Sequence, residues 1–126
     1  MIVRAISKNV LISPRKVNIV AGLVRGRSVE DALVILEHTP RRTAKAIGEV
    51  IKSAKANAVH NHNLKPDGLD IAGISVTPGP RYRRYRPAAR GRALPYQRQT
   101  SHIRVEVAGE FRAAKKTSTS GKKETA

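Results

Sequence analysis

The stretch between residues 79 and 104 constrains the fold of this chain more than any other part of the sequence. It contains eight Arg residues and no acidic residue, and between residues 79 and 102 Leu94 is the single large aliphatic side chain. Such a segment cannot bury enough apolar surface to offset the entropy lost on ordering, so it cannot form a core. Because strand-like sequences flank it on both sides, the sequence predicts a long extended β-hairpin at about residues 79–102.

The flanking sequences predict the two strands from which this hairpin extends. Residues 69–76 are rich in Ile and Val, and their alternation changes phase in a way that predicts a bulge at Gly73. Residues 103–107 alternate between apolar and charged side chains, which predicts a strand with one buried face. About 12 residues per arm, at roughly 3.3 Å each, give an upper reach of about 40 Å. Gly91 suits the tip because glycine readily adopts positive φ.

The rest of the sequence predicts an α+β body, in which three helices pack on a small antiparallel sheet. Residues 2–10 predict a short strand. Helix starts are predicted at Ser13-Pro14, at Ser28 and at Thr39-Pro40, because each pairs a capping side chain or a proline with helical apolar spacing.

The length and the tail set the predicted domain organisation. A chain of 126 residues suits one domain, and we expect a single α+β domain over residues 1–112 that includes the hairpin. Residues 113–126 contain no aliphatic side chain larger than Ala, so we expect a disordered basic tail.

The charge predicts a polyanionic partner. The chain has a net charge of +16, of which residues 79–104 contribute +8, and a compact fold with this charge repels itself. The absence of Cys excludes disulfides and thiolate metal sites and favours a reducing compartment. No apolar stretch approaches the roughly 18 residues of a membrane span, and no signal peptide is visible. We therefore expect a soluble, intracellular protein that binds nucleic acid.

Candidate RNA-binding residues follow from the chemistry of phosphates and bases. Arg binds phosphate through a planar fork of donors, and Tyr stacks on unpaired bases. The start of the first helix adds two cations and free backbone N–H groups, which suit phosphate. The predicted RNA-binding residues are Arg15, Lys16, Arg81, Tyr82, Arg83, Arg84, Tyr85, Arg86, Arg90, Gly91, Arg92, Tyr96 and Arg98. A second basic surface around the helix junctions is given less weight; it would comprise Arg25, Arg27, Arg41, Arg42 and Lys45.

Enzymatic chemistry has weaker support. His60-Asn61-His62 could suggest a metal site or a nuclease, but residues two apart do not share a helix face, and no acidic residue adjoins them. No phosphate-binding loop is present. We therefore predict no catalytic residue, no metal site and no cofactor.

Several fragments in order resemble a known family. The chain carries, at compatible spacing, the fragments Ile12–Val17, Arg25–Ala32, Ala56–Asn61, Gly79-Pro80, Arg90–Ala93 and Thr100–Ile103. Together they resemble the large-subunit ribosomal proteins of family twenty-two, and the resemblance covers about residues 1–109. Ala88 departs from the pattern, since the family usually has a basic residue there.

The resemblance implies a cytoplasmic, ribosome-bound protein with an α+β body near the mouth of the peptide exit tunnel. It implies that the hairpin threads into the 23S-type rRNA and forms part of the tunnel wall, with a role in subunit assembly and in the macrolide response. Residues matching the family's hairpin cations are Arg83, Arg84, Arg90, Arg92 and Arg98. Implied partners are large-subunit rRNA, neighbouring large-subunit proteins and the nascent polypeptide at the tip. No obligate homo-oligomer is expected.

Two other functions remain open from the residues alone. A free basic DNA-architectural protein could insert such a ribbon into a groove, although nothing in the sequence indicates the dimer that such ribbons usually need. A nuclease using the His pair is the third possibility.

Overall fold

The computed structural model describes residues 1–112, which form three α-helices and five β-strands. The helices are α1 (Pro14–Val24), α2 (Val29–His38) and α3 (Arg42–Ala56). The strands are β1 (Ile2–Val10), β2 (Asp70–Pro78), β3 (Tyr82–Pro87), β4 (Ala93–Arg98) and β5 (Ser101–Ala108). A π-helical turn at Asn57–Asn61 follows α3, and short 3-10 turns lie at Pro66–Gly68 and Ala89–Gly91. The expected disordered tail at residues 113–126 lies outside the described residues.

Three strands form the antiparallel sheet of the body in the order β1-β5-β2, and β3 and β4 form a separate two-stranded ribbon. The α+β class and the extended hairpin are therefore confirmed. In β2 the register moves from Ile71 opposite Val107 to Gly73 opposite Glu106, so that one extra residue lies in β2 at this point. The bulge predicted at Gly73 is confirmed.

Helices α1 and α3 pack on the sheet, and α2 packs against these two helices, so that the core lies between the helices and the sheet. The inward side chains of β5 are Ile103, Val105 and Val107, all with no exposed area, because side chains on a strand alternate between its faces. Ile47 and Ile51 of α3 are equally buried in the same core cluster. The body therefore holds itself together by apolar packing that the hairpin does not share.

Two predicted helix starts are confirmed. Ser13 occupies the N-cap of α1 with Pro14 as the first helical residue, although its side chain caps no backbone N–H. Ser28 caps α2, since its hydroxyl accepts a hydrogen bond of 3.2 Å from the backbone N–H of Asp31.

The third predicted start is wrong by two residues. Helix α3 begins at Arg42, with Arg41 at its N-cap. Thr39 instead ends α2: its hydroxyl donates to the Ile35 carbonyl at 2.7 Å, and its backbone N–H bonds the Leu36 carbonyl. Thr39 therefore belongs to the end of α2, and the N-cap position of α3 is taken by Arg41, without a side-chain hydrogen bond.

Candidate nucleic-acid interface

The hairpin is a ribbon of six residue pairs, from Tyr82 opposite Arg98 to Pro87 opposite Ala93. Six residues per strand span about 20 Å, so the paired region is shorter than the upper reach that the sequence allows. Every residue from 81 to 99 has exposed area, and all seven Arg between 81 and 98 are exposed. Within residues 1–112, none of these seven forms an ion pair.

The register gives the ribbon two chemically different faces, since directly opposed residues in an antiparallel pair lie on the same face and successive residues alternate. One face, here called the cationic face, carries Tyr82, Arg84, Arg86, Leu94, Tyr96 and Arg98. The opposite face carries Arg83, Tyr85, Pro87, Ala93, Pro95 and Gln97.

On the cationic face, two tyrosines are already covered by arginines. The guanidinium of Arg86 lies 4.7 Å from the centre of the Tyr96 ring, and that of Arg84 lies 5.6 Å from the centre of the Tyr82 ring. Cation–π contact of this kind orients an Arg side chain, and Arg84 is held further by a 2.8 Å hydrogen bond that its guanidinium donates to the Arg83 carbonyl. Tyr85 lies on the opposite face with 73% of its surface exposed.

The tip turns through two consecutive left-handed residues. Arg90 has φ 60° and ψ 36°, and Gly91 has φ 68°. The predicted positive φ at Gly91 is confirmed, whereas the left-handed Arg90 was not foreseen. The turn is closed by a 2.8 Å hydrogen bond from the Ala88 backbone N–H to the Arg92 carbonyl.

The junction between ribbon and body is tightly packed around Gly79 and Thr100. The Gly79 backbone N–H bonds the Thr100 carbonyl at 2.8 Å, and the Thr100 hydroxyl donates to the Pro80 carbonyl at 2.6 Å. A Cβ at Gly79 would lie 2.5 Å from the Thr100 hydroxyl oxygen, so no side chain fits there. These contacts fix how the ribbon leaves the sheet. The sequence analysis did not assign Thr100 a role at this junction. The sequence feature that could have indicated it is the position of Thr100 opposite Gly79-Pro80 in the predicted hairpin.

The structure separates the two cations predicted at the start of α1. Lys16 lines a groove at the base of the ribbon together with Arg98, and Arg15 does not line it. Both side chains are exposed. The first turn of α1 contains no acidic residue that would neutralise them.

The structure places the arginines of the second predicted basic surface in two different settings. The Arg25 side chain bonds the Asn18 amide oxygen at 3.0 Å and the Ile74 carbonyl at 3.1 Å, and Arg27 bonds the Leu23 carbonyl at 3.0 Å. These two arginines fasten α1 to its surroundings. Arg41 and Arg42, by contrast, line the groove at the base of the ribbon.

The described residues contain no group of three His, Asp or Glu side chains that could hold a metal ion. His60 belongs to the π-helical turn and His62 follows it. Across residues 1–112, none of the helices combines the length and the apolarity needed to cross a bilayer.

The comparison with protein families decides between the remaining functions. The model of the family "Ribosomal protein L22p/L17e" matches residues 5–108. The chain belongs to this family. It is 47% identical over 104 residues to the large ribosomal subunit protein uL22 of Clostridioides difficile, covering 82% of this chain and 94% of that protein. It is 48% identical over 104 residues to the uL22 protein of Herpetosiphon aurantiacus, covering 82% and 92%.

Membership in the L22p/L17e family confirms several predictions at once. The chain is a structural protein of the large ribosomal subunit, it acts in the cytoplasm as part of the ribosome, and it is not an enzyme. The nuclease reading is therefore wrong. The free DNA-architectural protein is not favoured, because matches over 82% of the chain are to ribosomal proteins.

Proposed function

We propose that this protein binds large-subunit rRNA chiefly through its hairpin. The observation that supports this most directly is a ribbon with seven exposed arginines and no acidic residue. None of these seven arginines is in an ion pair within residues 1–112. An isolated two-stranded ribbon is marginal in water, and this one also carries repelling cations. Surrounding phosphates would remove the repulsion and supply the contacts that the ribbon lacks.

The cationic face binds the phosphodiester backbone in this proposal. Arg84, Arg86 and Arg98 lie on this face, and Arg84 and Arg86 are held in place by tyrosine rings. An oriented guanidinium loses less side-chain entropy when it forms a bidentate phosphate contact. The remaining cations predicted to bind RNA extend the contact to the junction, the tip and the body; they are Arg15, Lys16, Arg81, Arg83, Arg90 and Arg92.

Base stacking belongs to Tyr85 rather than to all three tyrosines. Tyr82 and Tyr96 already have Arg side chains over their rings, whereas Tyr85 is 73% exposed and lies on the opposite face, paired with Pro95. An exposed ring on a paired strand is a platform for an unpaired base, and such stacking typically contributes about 1–3 kcal/mol.

We also propose that the hairpin forms part of the wall of the peptide exit tunnel and that docking of the chain supports subunit assembly. The family resemblance supports this placement. A ribbon about 20 Å long has the slender shape that threading between rRNA segments requires. Neighbouring large-subunit proteins and the nascent polypeptide at the tip are the further partners. Gly91 would shape the tip rather than bind RNA through a side chain.

Deletion of residues 81–98, with Pro80 joined to Gln99 through a short glycine turn, tests the rRNA proposal. Binding of a 23S-type rRNA transcript is measured against salt concentration. If the hairpin neutralises about six to eight phosphates, the log–log slope for the full chain is about −4 to −7, using roughly −0.7 to −0.9 per contact. The deletion should reduce that slope by more than half.

Helical circular dichroism is the control for folding: all three α-helices lie outside residues 81–98, so the deletion variant should keep the helical signal of the full chain. Duplex DNA competes as a second arm. An unchanged slope after deletion would place the RNA-binding surface on the body, and equal competition by duplex DNA would restore the DNA-architectural reading.

A further inference from the structure

We propose that the free edge of β1 pairs with an extended, acidic segment of a neighbouring large-subunit protein, which adds an antiparallel strand to the sheet of the body. This inference deepens one part of the proposed function, the contact with neighbouring proteins, and it does not depend on the hairpin. The sheet has the order β1-β5-β2, so β1 and β2 are its two edges. An edge strand presents unpaired N–H and C=O groups, which form a template for another polypeptide strand.

The edge of β2 is already covered by another part of the chain. The backbone N–H of Ile71 donates to the Arg27 carbonyl at 2.9 Å. Farther along the strand, the Arg25 guanidinium donates to the Ile74 carbonyl at 3.1 Å. The connection between α1 and α2 therefore lies along β2 and occupies the place where a further strand would pair.

The edge of β1 is open within residues 1–112. Met1 and Gly109 exchange two hydrogen bonds, of 3.1 and 3.2 Å, and this pair fixes the alternation of bonds between β1 and β5. The N–H and C=O groups of Ile2, Arg4 and Ile6 therefore point away from β5, and no other described residue bonds them. An extended polypeptide backbone matches such a row of alternating donors and acceptors, whereas a nucleic-acid backbone does not.

A groove between this edge and α3 gives the side chains of an added strand a place to pack. Its first part has a volume of about 330 Å³ and is lined mostly by small side chains of β1 and α3, among them Ala5, Ala46 and Val50. Its second part, of about 290 Å³, shares Val10, Ala46 and Glu49 with the first. Because side chains on a strand alternate between its faces, every second residue of the added strand lies over this groove. Small apolar side chains such as Val suit a groove of this size.

The charge around the groove favours an acidic segment. Lys8, Arg42 and Lys45 are exposed, and none of them is in an ion pair within residues 1–112. Glu49 is the acidic residue that lines the groove. Three cations against one anion leave a positive surface, and acidic side chains on the added strand would offset it.

Two other occupants fit this edge less well. A second copy of β1 would bring Arg4 and Lys8 close to like charges, and each chain carries a net charge of +16. Residues 113–126 contain four Lys and no aliphatic side chain larger than Ala, so they match neither the charge nor the apolar lining. Because the chain is a component of the large ribosomal subunit, the acidic segment belongs to a neighbouring protein of that subunit.

Nuclear magnetic resonance of the full chain tests the pairing directly. The probe is a peptide of about seven residues in which Val alternates with Glu, the length of a short strand. Strand addition should move the amide proton signals of Arg4 and Ile6 downfield and slow their exchange about tenfold, because these amides gain an acceptor. The amide signals of Val3 and Ala5, which already bond β5, should move much less. Equal shifts at all four amides would contradict strand addition.

A matched pair of variants isolates the Ile6 N–H. Ile6→Pro removes this donor and should lower peptide affinity about tenfold or more, since a proline at an edge has no N–H to donate. Ile6→Ala keeps the donor and should stay within about threefold of the wild type. Helical circular dichroism and urea denaturation report whether both variants are folded.

N-methylated peptides ask the same question of the wild-type chain, so the test survives if the proline variant does not fold. Directly opposed residues of an antiparallel pair share a face, so a strand with Val over the groove directs its Glu amides at β1. Methylation of the Glu amides should therefore abolish binding, and methylation of the Val amides should be tolerated. Equal binding of the two methylated peptides would rule out backbone pairing. Equal binding of a peptide with Lys in place of Glu would rule out an acidic partner.

Photo-crosslinking in assembled large subunits tests the source of the strand. Benzoylphenylalanine in place of Ile6 should crosslink to an acidic segment of a neighbouring large-subunit protein, mapped by mass spectrometry. The same group in place of Val34, which is 55% exposed on α2, is the control and should not reach that segment. Crosslinking of position 6 to rRNA alone, or to nothing, would overturn the inference. The hairpin proposal would still stand, because the salt slope of the variant lacking residues 81–98 decides it separately.

Discussion

The body and the hairpin of this protein are stabilised in opposite ways. The body contains 22 buried hydrophobic residues in one cluster, whereas no residue between 81 and 99 is buried. Both regions contain antiparallel strands paired by backbone hydrogen bonds, so strand pairing alone does not distinguish them. The difference shows that a body can carry its own stability while its extension depends on a partner.

Amide hydrogen exchange in the isolated protein should show this difference most strongly. Core amides of α3 exchange through global unfolding, and at about 5 kcal/mol of stability they should be protected by three or more orders of magnitude. Amides of β3 and β4 should exchange close to the unprotected rate. Addition of a 23S-type rRNA transcript should newly protect the ribbon, and it should also slow exchange in α3, because binding to the folded protein raises its global stability. Protection of the free ribbon equal to that of α3 would show that it needs no partner.

The contrast between the two regions was predictable from sequence because it depends on composition. A run with one large aliphatic residue cannot make a core, and the alternation at residues 103–107 fixes which face of β5 is buried. The same local logic located the bulge at Gly73 and two of the three helix starts.

What sequence could not supply are features that depend on contacts between distant residues. Arg41 and Arg42 line one groove with Lys16 and Arg98, residues that are far from them in the sequence. The lack of room at Gly79 depends on Thr100, which lies 21 positions away. The ribbon register, which distinguishes Tyr85 from Tyr82 and Tyr96, also emerges only from pairing.

Matched truncations should sharpen the comparison in energetic terms. Ile51 has no exposed area and Leu94 is 58% exposed. Ile51→Ala removes buried methyl groups and leaves a cavity, so the free energy of unfolding should fall by about 2–5 kcal/mol. Leu94→Ala should change it by less than about 0.5 kcal/mol, because surface substitutions rarely do more. Urea denaturation followed by helical circular dichroism measures both. A loss of 2 kcal/mol or more in the Leu94 variant would mean that the hairpin contributes to the stability of the body.

The smallest effects are expected at the tip, where Arg90 and Gly91 are both left-handed. Gly91→Ala introduces a Cβ at φ 68° and should destabilise the ribbon by about 1 kcal/mol. Arg90→Gly removes a Cβ from a comparable conformation and should stabilise it by up to about 1 kcal/mol. Arg92→Gly is the charge-matched control, because Arg92 has φ −79° and gains nothing from glycine.

Cross-strand nuclear Overhauser effects between Arg84 and Tyr96, which are paired, report the folded ribbon population in the full chain. A factor of about five accompanies each 1 kcal/mol. The Gly91 and Arg90 variants should shift that population in opposite directions while urea denaturation of the body stays unchanged. Equal effects of Arg90→Gly and Arg92→Gly would show that charge, and not left-handed backbone geometry, governs the tip.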